Sequence, residues 1–185
     1  MSSNSCCTKP EQRRQLHLIA ALSLLCWMLP VQAADWRDDV PQAHLTGSGE
    51  LRWFSLQIYS AALWSSTTPF DASQPFELEL TYARHITSAR LVQTSIDEIR
   101  RLSGQRYTEQ QYRRWQDVLE HTFTDVKEGD QLIAVFLPGQ GCRFYSRSQL
   151  LAQVSDPDFA QAFFSIWLDP RSQDAQLRKH LTGVP

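Results

Sequence analysis

The chain has 185 residues, 42% hydrophobic and 11% aromatic, with 18 Lys and Arg against 20 Asp and Glu and a formal net charge of −2. Charges of both signs are interspersed, so the basic surface that nucleic acid or an anionic membrane needs in its main partner is missing. The length suits one domain resting on its own hydrophobic core.

The first 33 residues read as a secretory signal. Lys9, Arg13 and Arg14 form a positive lead, Leu16 to Leu29 is apolar, and Val31-Gln-Ala33 is a small-residue cleavage pattern before Ala34 or Asp35. The apolar run falls short of the ~20 residues of a membrane helix. We therefore expect a domain over 34–185, periplasmic or secreted, with no stable membrane span after cleavage. Losing Lys9, Arg13, Arg14 and Glu11 takes the 18 bases and 20 acids to 15 and 19, a net charge of −4. Cys6, Cys7 and Cys26 leave as well, so Cys142 has no partner within the chain and is expected as a small buried hydrophobe.

In chain order, His44-Leu-Thr46 predicts a short strand and Gly47-Ser-Gly49 a turn or bulge. Leu51 to Trp64 contains no Gly or Pro and predicts one long central strand. Its even positions, Phe54, Leu56, Ile58, Ala62 and Trp64, are expected in the core, with Arg52 at the mouth of that apolar row. Phe76 to Tyr82 alternates, which predicts a half-exposed strand with Glu77 and Glu79 on the wet face. Val92, Ile96, Ile99 and Leu102 form one helical stripe ending at Gly104. A second stripe, Tyr112, Trp115, Leu119 and Phe123, follows the capping-box pattern Thr108-x-x-Gln111. Gln131 to Leu137 is a buried strand, Pro138 to Gly141 a hairpin turn, and Cys142 to Ser146 and Gln149 to Val154 complete a meander. Asp156-Pro157 opens a third helix bearing Phe159, Phe163, Ile166 and Trp167, and a short piece with Leu177 and Leu181 ends at Gly183. The fold class expected is α+β, an antiparallel sheet with a helix layer on one side.

Catalytic and cofactor patterns are absent from the sequence: there is no G-x-S-x-G elbow, no dinucleotide fingerprint, and no pair of histidines or cysteines at metal-ligand spacing. No metal and no cofactor is expected. Arg52, Tyr59, Tyr82, Arg84 and Tyr145, at or near strand ends, are the candidate anchors of an apolar pocket between sheet and helices.

Gly47-x-Gly49, Ile58-Tyr59-Ser-Ala-Ala-Leu63, Asp125-Val-x-x-Gly129-Asp130, Leu137-Pro-Gly139, Phe159-x-x-Ala162-x-Phe164-x-Ile-Trp-Leu168-x-Pro170 and Leu181-x-Gly183 occur in that order. In this the chain resembles the bacterial chalcone isomerase-like family over essentially all of 34–185. The resemblance implies an open-faced sheet with helices on one side, and relatives of two kinds: plant enzymes closing chalcones to flavanones, and fatty-acid-binding proteins. The enzymes use an Arg near the start of the long strand, two places after the second Gly. Here that place holds Leu51, with Arg52 one later, so Arg52 alone is carried over. The expected function is a non-catalytic periplasmic module binding a small apolar carboxylate such as a fatty acid. An isomerase and an interaction module using exposed aromatics such as Trp36 or Trp64 are the alternatives, with the oligomeric state open.

Overall fold

The computed structural model describes residues 35–147 and 149–183; the signal-peptide reading lies outside them. Six strands, β1 (His44–Trp53), β2 (Leu56–Ser65), β3 (Phe76–Tyr82), β4 (Gln131–Leu137), β5 (Gly141–Ser146) and β6 (Gln149–Val154), form one antiparallel sheet in sequence order. Helices α1 (Ser88–Ser103) and α2 (Glu109–Thr122) are inserted between β3 and β4; α3 (Pro157–Leu168) and α4 (Ala175–Thr182) follow β6. The α+β architecture is the one expected.

Local chemistry places the helices. The Thr87, Asp156 and Asp174 side chains each accept a backbone N–H at a helix start, and Thr108 with Gln111 closes the reciprocal capping box before α2. Stripes from α1, α2, α3 and α4 meet Ala61, Leu63, Leu78, Leu80, Ala134 and Phe144 of the sheet in one continuous core. Phe163 makes ring contacts with Phe144, Phe159, Phe164 and Trp167 there. Aromatic pairs of this kind add ~0.5–1.5 kcal/mol each beyond their burial. Cys142 is buried in this core and burial pushes its thiol up, which suppresses thiolate chemistry.

The glycines of β1 are required by contact. A Cβ on Gly47 would lie 2.0 Å from the His180 carbonyl oxygen, and one on Gly49 2.8 Å from Leu177 Cδ1, because α4 packs directly on this backbone.

The long strand expected over 51–64 is instead a hairpin. Trp53 pairs with Leu56, and Phe54-Ser55 forms the turn, with Phe54 at φ +53°. A bulky residue in that left-handed region costs ~1–2 kcal/mol, and tight hairpin turns ordinarily take Asn or Gly there. The break reverses the expected facing of β2. Ala61, Leu63 and Ser65 are buried, whereas Leu56 is exposed and Trp64 points to the other side of the sheet.

That other side is covered as well. A 3-10 turn, Trp36–Asp38, and the strap around it set Trp36 and Val40 against Ile133, Val135 and Tyr145. Asp39 anchors the strap, accepting hydrogen bonds from the Arg143 guanidinium and from the Tyr145 hydroxyl at 2.6 Å. Glu77, expected in water, is completely buried here between its sheet neighbours Trp64 and Val135. Its strand is central, and the strap shields the face that alternation marks as wet. Trp36 is therefore buried and Trp64 half-buried, so neither is the exposed aromatic of an interaction surface.

Candidate functional site

Tyr59 on β2 and Tyr82 on β3 are directly paired in register. Both side chains face the helix layer, where their rings meet edge to face with centroids 6.1 Å apart. Trp167, near the end of α3, donates its indole N–H to the Tyr59 hydroxyl oxygen at 2.9 Å. Among the described residues no acceptor takes the Tyr59 hydroxyl proton, and no hydrogen bond reaches the Tyr82 hydroxyl, although Tyr82 is 3% exposed. Tyr59 is only half-buried and the Tyr82 hydroxyl oxygen is not sealed from solvent, so these adjacent phenols keep donor capacity that water or an acceptor from outside the chain can take.

Burial pushes both phenols well above their ordinary range, and for Tyr59 the nearby carboxylates of Asp174 and Glu98 add to this. Both are therefore neutral donors at any ordinary pH. Glu98 is held by Arg101 Nε at 2.8 Å and by Gln173 Nε2 at 2.7 Å, which ties α1 to the connection between α3 and α4. Arg101 and Gln173 keep the Glu98 carboxyl below its ordinary range. Arg84 lies two residues beyond Tyr82, half-buried, and makes no ion pair among the described residues.

The structure thus brings Tyr59 and Tyr82 together, with Arg84 next in the chain, and separates them from the other two candidates. Arg52, expected to look inward, is half exposed beside the hairpin turn. It donates to Glu50 Oε2 and to the Ser55 carbonyl oxygen, each at 2.9 Å. The turn at Phe54-Ser55 is what carries it out of the core. Tyr145 stands on the strap side of the sheet, committed to Asp39, because it pairs with Ile133, whose side chain points away from the helices. Burial and the Asp39 carboxylate push its phenol up to about 12.

Two grooves lie elsewhere on the surface. A half-open groove of about 390 Å³ has Phe76, Phe136, Phe164 and Tyr107 in its floor and Arg106 on its rim. Arg106 donates to Gln161 Oε1 at 2.9 Å and has no carboxylate partner among the described residues. Sequence reading missed this groove because its residues come from α1, α3, β3, β4 and the 66–75 connection. A second, shallower groove of about 520 Å³ runs between α2 and β6 past His121 and Asp156. Neither opens onto Tyr59 or Tyr82. Among the described residues no cluster of three His, Cys, Asp or Glu could hold a metal, and no helix is long and apolar enough to cross a membrane.

Among solved structures, the fatty-acid binding protein AtFAP1 of Arabidopsis thaliana superposes with a TM-score of 0.58 at 10% identity, over 83% of this chain and 90% of that one. At that identity the likeness is one of fold. No curated protein matches in sequence. The family description "chalcone isomerase-like" matches residues 39–183, which takes in all six strands and all four helices. The chain belongs to the chalcone isomerase-like family.

Proposed function

We propose that this chain is an exported, non-catalytic binding module for a small apolar carboxylate, a fatty acid being the simplest case. The observation that carries the reading is the pair of neutral, adjacent phenols, Tyr59 and Tyr82, whose hydroxyl protons have no acceptor among the described residues. A carboxylate accepts from both at once. The Trp167 N–H already donates to Tyr59, so the relay Trp167 to Tyr59 to carboxylate polarises in one direction and each bond strengthens the next. Arg84 supplies the nearest uncommitted cation along the chain. The fold is shared with a protein described as binding fatty acids, and the first 33 residues carry the export pattern, which together favour this reading. Leu51 faces Tyr59 across the hairpin and is the apolar side chain beside the pair that a ligand's tail would meet.

Calorimetric titration with fatty acids of graded length tests the proposal. One equivalent is expected to bind. Tyr82→Phe is expected to weaken it about tenfold or more, the equivalent of one hydrogen bond to a charged group at ~1.5–3 kcal/mol. No binding across the series, or undiminished binding by both Tyr59→Phe and Tyr82→Phe, would overturn it. The export half is tested separately, by sequencing the N-terminus of the chain recovered from cell fractions. A start at Ala34 or Asp35 outside the cytoplasm is expected, and an intact Met1 inside it would refute export.

A further inference from the structure

The tip of the β1–β2 hairpin is the most apolar exposed feature among the described residues. Phe54 is 88% exposed, Trp53 68% and Leu56 51%, and the Trp53 and Phe54 rings lie against each other with centroids 5.4 Å apart. Nothing in the fold explains this. An aromatic residue at φ +53° pays a backbone cost that Gly or Asn would avoid, and it gains no packing against the core in return.

Behind the tip the chemistry changes abruptly. Arg52 stands one residue back, with its guanidinium shared between Glu50 and the Ser55 carbonyl. One carbonyl of the turn is thereby satisfied, and the pairing of Trp53 with Leu56 keeps the hairpin backbone bonded within itself. The finger is therefore graded along its length: apolar rings of Phe54 and Trp53 at the tip, then a cation and an anion, Arg52 and Glu50, further back. That order matches the boundary of a bilayer, where Trp sits among headgroups and a shallow apolar insertion is backed by charge.

We propose that the Trp53-Phe54 tip docks the protein peripherally on a zwitterionic lipid bilayer. The net charge of −4 over residues 34–185 disfavours an anionic surface. The size of the tip disfavours a protein partner, since three side chains of this kind cover ~400–500 Å² at most, against ~800 Å² per side for a specific protein interface. Neutral lipid asks for no such area. The finger also leads through Leu51 to Tyr59, so a docked molecule presents the tyrosine pair close to the bilayer surface. The docking does not depend on the ligand reading, and its test uses no fatty acid.

The test is co-sedimentation with phosphatidylcholine vesicles, together with tryptophan quenching by brominated phosphatidylcholine. The chain is used as recovered from the expressing cell, with its N-terminus verified as identical in every variant. Wild type is expected to partition onto the vesicles in a way insensitive to salt. Trp53→Ser/Phe54→Ser is expected to partition about tenfold less, at unchanged thermal stability because both side chains lie in solvent. Trp53→Phe is expected to keep sedimenting while losing the bromine-quenched fraction of the fluorescence. Three results would overturn the proposal: no vesicle binding by wild type, equal binding by the double variant, or self-association in sedimentation velocity that the double variant abolishes.

Discussion

Replacing Glu77 by Gln is expected to stabilise the protein, by an amount that grows with pH. The carboxyl is fully buried between Trp64 and Val135, and neither of its oxygens has a hydrogen-bond partner among the described residues. Burial, then the Glu79 charge two residues on, pushes its pKa from 4.5 to about 9, with Arg37 opposing weakly. The folded state thus holds a proton that the unfolded chain gives up above pH 4.5. The stabilisation is complete below that pH and drains away as pH rises toward 9. Each pH unit inside this window is worth ~1.4 kcal/mol, so at pH 7 keeping Glu77 protonated has cost the native state about 3 kcal/mol relative to acid conditions. Gln keeps the shape and carries no titration. Denaturant unfolding of both proteins at pH 5, 6, 7 and 8 should therefore give a stability difference in favour of Glu77→Gln that climbs by about 1.4 kcal/mol per unit. A difference that stays flat over those four points would show that Glu77 titrates normally and that the strap does not seal it from water.

Three further outcomes follow from the packing. Gly47→Ala drives a Cβ against the His180 carbonyl and should cost ~3 kcal/mol by denaturant midpoint, whereas Gly183→Ala, in the left-handed region at φ +65° but with open space, should cost ~1 kcal/mol. Asp156 accepts from the Phe159 backbone N–H and from the Trp115 indole N–H, so Asp156→Ala loses a cap and orphans an indole, an expected ~3 kcal/mol; Asp156→Asn, keeping one acceptor oxygen, should fall between Ala and wild type in the same unfolding assay. Asp39→Asn removes the anion facing Tyr145 and should bring that phenol down from about 12 in a spectrophotometric titration, with a lower melting temperature as the strap loosens.

What could be read from the residues depended on how local the signal was. Helix starts were legible because each cap and its target lie three residues apart, as with Thr108 and Gln111. Strands β4, β5 and β6 were legible because Gly139 and Gly141 punctuate them. The β1–β2 turn was invisible because Phe54-Ser55 contains none of the residues that usually occupy such a turn. Once it was missed, period two assigned β2 to the wrong face, put Arg52 in the core and hid Trp53 and Phe54 inside a strand. Glu77 was misread for a different reason. Alternation separates two faces of a strand but does not say what covers them, and the cover comes from Trp36 and Val40, some 40 positions earlier. Tyr59 and Tyr82 lie side by side because the β2–β3 register pairs them. Tyr145 looked equivalent by position and fell on the opposite face.

The seat of the ligand is tested most directly by carbon NMR of palmitate labelled at its carboxyl carbon. The account predicts a bound resonance distinct from free fatty acid, displaced or lost in Tyr59→Phe and Tyr82→Phe and unchanged in Arg106→Ala. A resonance indifferent to both tyrosine substitutions but altered by Arg106→Ala would place the carboxylate in the groove beside Phe76 and contradict it.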